Sequence, residues 1–283
     1  MAPSPFSHAF ARVSRTGHSV MSFLRLHDVS VEFPIYQASS RSLKKVLLAS
    51  STRGNLGRDA KDRINVRALS RVTLDIADGD RFALIGLNGA GKTTLLKVLA
   101  GVYEPTSGRF TSSGRVSSLL DVNVGFNFDA TGRENIILRG MYMGIHPREM
   151  RERAAEAAEF TELGDYLDMP VRTYSAGMMV RLAFAASTCT PPDVLVMDEW
   201  LTAGDAQFLE KAQRRVESFV RTSSILVLAS QSLELIQQWC NRGILLHQGR
   251  AAMIGAVEEV IAAYRRLVES GVPPDFSLET AGG

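Results

Sequence analysis

Apolar residues in the first ordered stretch fall close to every second position. Leu24, Leu26, Val29, Val31 and Phe33 follow that spacing and Pro34 ends the run, so the segment from Ser22 reads as a strand. Val72, Leu74 and Ile76 repeat the alternation before the turn Asp78-Gly79-Asp80. The pattern then changes to short continuous apolar runs, Phe82–Ile85, Val194–Met197, Ile225–Ala229 and Gly243–Leu246, which suit strands buried on both faces. Helical spacing occupies the intervals at 132–145, 148–163, 177–189, 206–221 and 232–240. Strands alternating with helices predict an α/β fold with a mainly parallel sheet covered on both sides. The block 102–175 is helix-rich, with Pro147 placed as a first-turn proline, and reads as an inserted helical subdomain centred on about 122–175.

Residues 37–64 break the pattern. Seven basic side chains between Arg41 and Arg63 face only Asp59 and Asp62, a local charge of +5. Within this insertion Leu43, Val46 and Leu47 alternate with Lys44 and Lys45 as a short amphipathic helix would, followed by a Ser/Gly-containing loop. Residues 1–21 carry Arg12 and Arg15 but no apolar core of a signal peptide, and they read as a disordered extension. Residues 266–283, with Pro273-Pro274, read as a polar tail closing a domain that spans 22–265.

Composition changes this picture little. The 283 residues are 45% hydrophobic and 22% charged, which excludes collagenous, coiled-coil and disordered classes. A net charge of +2 is too mild to argue for nucleic acid. The two cysteines, Cys189 and Cys240, lie apart in apolar helical patterns and read as core thiols rather than a disulfide or metal framework. No apolar run reaches the roughly 18 residues of a membrane span.

Chemistry concentrates in Gly86-Leu87-Asn88-Gly89-Ala90-Gly91-Lys92-Thr93-Thr94, which follows an apolar strand and opens a helical pattern. Glycines let the backbone wrap closely so that its N–H groups converge on phosphates, and the following helix adds partial positive charge there. Lys92 then neutralises the β- and γ-phosphates and Thr93 supplies a hydroxyl to Mg²⁺, so the loop implies a nucleoside triphosphate. Asp198 and Glu199 end another buried strand, at the sheet edge where α/β proteins bind ligands. Alternation sends the two carboxylates in different directions, one toward the Mg²⁺ shell and the next toward the attacking water. A third feature, Tyr174-Ser175-Ala176-Gly177, opens a helix with Ser175 as N-cap. It is either an ordinary cap or a second anion-receiving helix end.

The order of these motifs resembles the nucleotide-binding subunit of ABC transporters. Gly86–Thr94 is similar to the Walker A loop, Ser175–Met178 to the signature motif, Val194–Glu199 to Walker B with its catalytic glutamate, and Thr202–Asp205 to the D-loop. Within that superfamily Thr131–Asn135, Arg172–Phe184 and Gly204–Phe208 resemble the polysaccharide-exporter branch, which moves lipid-linked O-antigens, capsules, teichoic acids or galactans. The resemblance implies a P-loop NTPase of the ABC type, with a mainly parallel sheet, an antiparallel β portion and an inserted helical subdomain. It implies ATP and Mg²⁺, and a second copy of the chain whose Ser175 and Gly177 meet the γ-phosphate in trans. It further implies a multispan membrane permease, a lipid-linked glycan as cargo, no nucleic acid, and a peripheral position on the cytoplasmic face of the bacterial inner membrane. Tyr36 is similar to the aromatic that stacks on adenine, with Phe33 as the alternative, and Asp205 belongs to the D-loop side of the nucleotide.

Two positions depart from the family. Where Gln or Glu is usual before the helical subdomain, the chain reads Leu119-Leu120-Asp121, which assigns Asp121 to Mg²⁺ or the attacking water. Where Ser-His is usual after a late strand, it reads Ser230-Gln231. A glutamine amide donates a hydrogen bond but never becomes a cation, so slow hydrolysis with intact ATP binding is expected. The family's docking region for the membrane subunit corresponds to Val124, Phe126 and Phe128, and to Met141, Tyr142 and Met143, while the insertion at 37–64 suits an anionic membrane surface. Two other classes stay open: a soluble ABC-type ATPase acting on DNA or ribosomes, and a regulatory nucleotide switch that does not hydrolyse.

Overall fold

The computed structural model describes residues 21–34, 56–58, 64–119, 125–198 and 206–273. Tyr36, Asp121, Val124, Glu199 and Asp205, residues 1–20 and the amphipathic helix expected within 37–64 lie outside them.

Two sheets organise the described residues. An antiparallel sheet has the order β2-β3-β1-β5, from β1 (Phe23–Pro34), β2 (Leu56–Arg58), β3 (Ile64–Ala77) and β5 (Ser107–Ser113). The second sheet has the order β10-β9-β4-β8-β7-β6. It contains β4 (Arg81–Gly86), β6 (Val116–Ser118), β7 (Val194–Asp198), β8 (Ile225–Ala229), β9 (Arg242–His247) and β10 (Arg250–Ala256). Every pairing in it is parallel except the β9–β10 hairpin.

The continuous apolar runs are explained by alternation across this sheet. Phe82, Leu84, Val194, Val196, Ile225, Val227, Ile244 and Leu246 face a core shared with helix α1 (Lys92–Leu99) and the antiparallel sheet. Ala83, Ile85, Leu195, Met197, Leu226, Leu228 and Leu245 face the opposite core. That second core is covered by α5 (Ala206–Thr222), α6 (Leu233–Trp239) and α7 (Val257–Ser270). Each fully buried leucine or phenylalanine contributes about 1.5–3 kcal/mol relative to exposure, so both faces of every central strand are stabilising.

A third cluster lies among α2 (Gly132–Tyr142), α3 (Pro147–Thr161) and α4 (Ala176–Ser187), around Ile136, Met150, Leu167 and Leu182. This is the expected helical unit, and it extends through α4. Pro147 opens α3 as expected. The residues Thr131-Gly-Arg-Glu-Asn135 build its entrance. Thr131 and Glu134 form a reciprocal capping box, whose hydrogen bonds hold the Glu134 carboxyl below the usual range. Asn135, fully buried, donates to the carbonyls of Asn127, Ala130 and Thr131 and accepts from the Asn127 N–H.

Several expectations are corrected. Residues 107–113 and 116–118, placed in the helix-rich block, are strands, and β5 pairs with β1. Residues 56–58, read as loop, pair with β3. The polar tail does not begin at 266, because α7 continues to Ser270 and its Leu267 is buried. Cys189 and Cys240 sit just beyond the ends of α4 and α6 rather than within them.

Both thiols are nevertheless buried, and burial raises both pKa values. Cys240 is pushed up to about 12, with the Arg81 guanidinium opposing weakly. A thiol whose folded pKa exceeds its unfolded value of about 8.5 contributes stability fully below that pH. The contribution is lost as pH rises toward the folded value. Near pH 8 the native chain is therefore expected to react with a disulfide reagent far more slowly than the chain in guanidinium, which should expose both thiols; immediate labelling of the native chain would contradict the packing.

Candidate functional site

The parallel strands β4, β8 and β7 lie side by side, so their C-terminal ends form one continuous edge. The phosphate loop leaves β4 there, Ser230-Gln231 leaves β8, and Asp198 ends β7. Crevices outside the carboxyl ends of parallel strands are where such sheets bind ligands.

Loop 86–91 holds its shape through close backbone approach. A Cβ at Gly86 would collide with the carbonyl oxygen of Leu246, so β9 presses directly on the loop's first residue. Gly91 is the N-cap of α1 at φ 106°, and a Cβ there would stand 2.7 Å from the Ala68 carbonyl oxygen. Four apolar side chains, Leu95, Leu96, Val98 and Leu99, then fix α1 against the sheet with its N-terminus aimed at the loop. Lys92 Nζ donates to the carbonyls of Gly86 at 2.6 Å and Leu87 at 3.2 Å. The ammonium thus lies folded across the loop it is expected to empty toward a phosphate.

Asp198 follows from strand parity. It shares its face with Val194 and Val196, the face on which α1 packs. Its Oδ2 accepts a hydrogen bond from Thr93 Oγ1 at 3.2 Å. A hydroxyl and a carboxylate so placed are hard oxygen donors of the kind Mg²⁺ takes alongside phosphate oxygens, so these residues fit that ion. Leu119, just after β6, donates its N–H to the Val196 carbonyl at 3.0 Å.

Gln231 is exposed at this edge, beside a small Ser230–Ser232 turn. Asn88, Gly89 and Thr94 belong to the loop and first helical turn, and Ala90 is buried beneath them. Phe33 is occupied, its ring meeting Tyr103 edge-on at 5.5 Å. Ser175 and Gly177 stand on the helical unit instead. The Ser175 hydroxyl accepts from the Met178 N–H at 3.3 Å, and the space around Gly177 is open. The structure therefore gathers Lys92, Thr93, Asp198 and Gln231 and sets Ser175 and Gly177 on another body.

Of the expected docking residues, Phe128, Met141 and Tyr142 are exposed, joined by Leu138. Phe126 and Met143 pack into the helical core instead. No helix of the described residues is long and apolar enough to cross a membrane.

One supporting element was not anticipated. The β9–β10 hairpin turns through Gln248 and Gly249, both at positive φ, the pattern of a two-residue type I′ turn. Its Gly249 N–H donates to Ala90 at 2.9 Å and its carbonyl accepts from Ser70 at 2.8 Å. The turn ties β3 to the phosphate loop. The two apolar strands flanking His247-Gln248-Gly249-Arg250 were the available signal.

A family model described as ABC transporter matches residues 69–202. The O-antigen export system ATP-binding protein RfbE of Yersinia enterocolitica is 39% identical over 229 residues, covering 81% of this chain and 96% of that one. RfbB of Myxococcus xanthus, described likewise, is 41% identical over 211 residues. The match spans 75% of this chain but only 48% of that longer relative. Among solved structures, the dimeric post-hydrolysis state of the ATP-binding cassette MJ0796 bound to ADP and Pi superposes with TM-score 0.57 at 18% identity, over 83% of this chain and 98% of that one. That likeness shows the same α/β fold. The chain belongs to the ABC transporter family.

Proposed function

We propose that the chain is the ATP-binding and ATP-hydrolysing subunit of an exporter that carries a lipid-linked polysaccharide across the bacterial cytoplasmic membrane. One observation carries the ATPase half: the Thr93 hydroxyl and the Asp198 carboxylate meet at 3.2 Å beside the phosphate loop. The near full-length likeness to an O-antigen export protein supports the cargo.

In this reading the loop N–H groups and the α1 dipole hold the phosphates while Lys92 leaves its own carbonyls to neutralise the β- and γ-phosphates. Thr93 and Asp198 would hold Mg²⁺, with Asp121 assigned to the same role, and the ion would supply positive charge toward the transferred phosphoryl group. Glu199 orients the attacking water. Gln231 stands where the family's histidine meets the γ-phosphate. Tyr36 supplies the adenine stack, since Phe33 is engaged with Tyr103.

Ser175 and Gly177 cap an exposed helix end that one nucleotide in one chain does not need. A second copy gives it a purpose: each chain closes on the other's γ-phosphate, with Asp205 at the seam. The exposed Phe128, Leu138, Met141 and Tyr142 side chains then suit contact with a multispan permease on the cytoplasmic face of the membrane.

Two measurements test this reading. Replacing Lys92→Ala in the cell should abolish surface display of the glycan and leave its lipid-linked form inside; normal display would remove the exporter assignment. With the membrane partner present, Gln231→His should raise ATP turnover by about 10²-fold with nucleotide affinity little changed, because a donor able to carry charge returns to the transition state. Equal turnover would show that Gln231 does not limit hydrolysis.

A further inference from the structure

The helix after the acid pair carries an unusual face. Phe208, Lys211, Ala212 and Arg215 follow the i, i+3, i+4, i+7 spacing of one side of α5. Phe208, 1% exposed, packs edge-on against both Phe160 of α3, at 5.9 Å, and Phe184 of α4, at 6.0 Å, closing a triangle with those two rings, themselves 5.8 Å apart. The two cations that follow close over the same plug. Lys211 Nζ and the Arg215 guanidinium lie 4.6 Å and 4.0 Å from the Phe160 ring centre.

Each cation also takes the C-terminal end of a helix in the helical unit. Lys211 donates to the Phe160 carbonyl at 3.2 Å and pairs with Glu162 at 2.6 Å. Arg215 donates to the Thr188 carbonyl, the C-cap of α4, at 3.2 Å and pairs with Glu156 at 2.8 Å. Arg181 of α4 completes the ring, donating to Thr161 at 3.3 Å and pairing with Glu162 at 3.2 Å. Carbonyls at a helix C-terminus lack intrahelical partners and carry partial negative charge, so cations are well placed there.

The placement gives this clasp a purpose beyond packing. Only residues 199–205 separate Asp198 from α5, and α4 opens at Ser175 and Gly177. We infer that Lys211 and Arg215 are positioning residues for ATP hydrolysis: they fix the helix bearing Ser175 and Gly177 in register with the segment that carries Asp198 and Glu199. Neither side chain touches nucleotide. This inference rests on the two-copy ATP reading above.

The test uses the full chain and its membrane partner, with Arg215→Met and Lys211→Met, and with Arg215→Lys as the conservative variant that keeps a cationic donor. Amide hydrogen exchange reports the clasp without reference to turnover. Exchange in residues 176–187 should accelerate in Arg215→Met and Lys211→Met while residues 86–99 stay unchanged, and Arg215→Lys should keep most of the protection. In turnover, kcat should fall about tenfold or more in the two methionine variants, with fluorescent-nucleotide affinity and thermal midpoint nearly unchanged. Arg215→Lys should keep most of the parent rate, because an ammonium still serves the ring and the helix end.

Unchanged exchange in 176–187, loosening spread equally over 86–99, or kcat at the level of the parent chain would each overturn the inference. Equal losses in Arg215→Lys and Arg215→Met would do so as well. A parent chain with neither ATP turnover nor nucleotide-driven pairing would instead overturn the two-copy reading, and the exchange pattern would still decide whether the clasp holds α4.

Discussion

The site depends on strand parity. Because Val194 and Val196 must bury against α1, Asp198 is delivered to the same side, and its carboxylate meets the hydroxyl of Thr93 at the first turn of that helix. A slip of one residue in β7 would exchange Asp198 with a neighbour and bury a carboxylate against the opposite core. The parallel register of β7 with β8, and of β8 with β4, therefore fixes chemistry as well as packing. The phosphate loop adds a second constraint of the same kind, since Gly86 and Gly91 touch backbone that no side chain could approach.

Around this edge the fold separates rigidity from reach. The loop is held from three sides, by β9 at Leu246, by β3 at Ala68 and by the Gly249 turn. The helical unit is joined differently. Its own core is apolar, but it meets α5 through rings, guanidinium and ammonium groups and carboxylates. Partly exposed ion pairs are individually worth only about 0.2–1 kcal/mol, and a charge over an aromatic face somewhat more. Such a joint is directional, and it sets the orientation of the helical unit on α5 through a few named side chains.

Much of this is legible in the sequence. Buried central strands announce themselves because both faces need apolar residues, and the phosphate loop does so because its backbone contacts demand glycine. The five helical intervals emerged for a similar reason, since each has one face to bury. β5 stayed hidden because Ser107-Gly-Arg-Phe-Thr-Ser-Ser113 is a polar strand at the sheet edge, with Phe110 as its large apolar anchor. β6 is too short to establish a period. The end of the last helix escaped because its buried stripe, Val257, Val260 and Ile261, has only Leu267 beyond the boundary at 266, where the polar segment with Pro273-Pro274 suggested a tail. Lys211 and Arg215 look like ordinary solvated charges in sequence, and only the fold brings them over Phe160. Ser175 stands on the helical unit, away from the edge that holds Lys92, and the proposed two-copy reading starts from that separation.

The central claim is that two copies close on ATP, each offering the other the tip of α4. Its most direct measurement is the solution mass of the Glu199→Gln chain with ATP and Mg²⁺, where hydrolysis cannot dissolve the complex. The account predicts a mass twice that of the single chain, lost when Ser175→Arg is added and lost again when nucleotide is removed. A chain that stays single with bound ATP, with the membrane partner supplied as well, would contradict it.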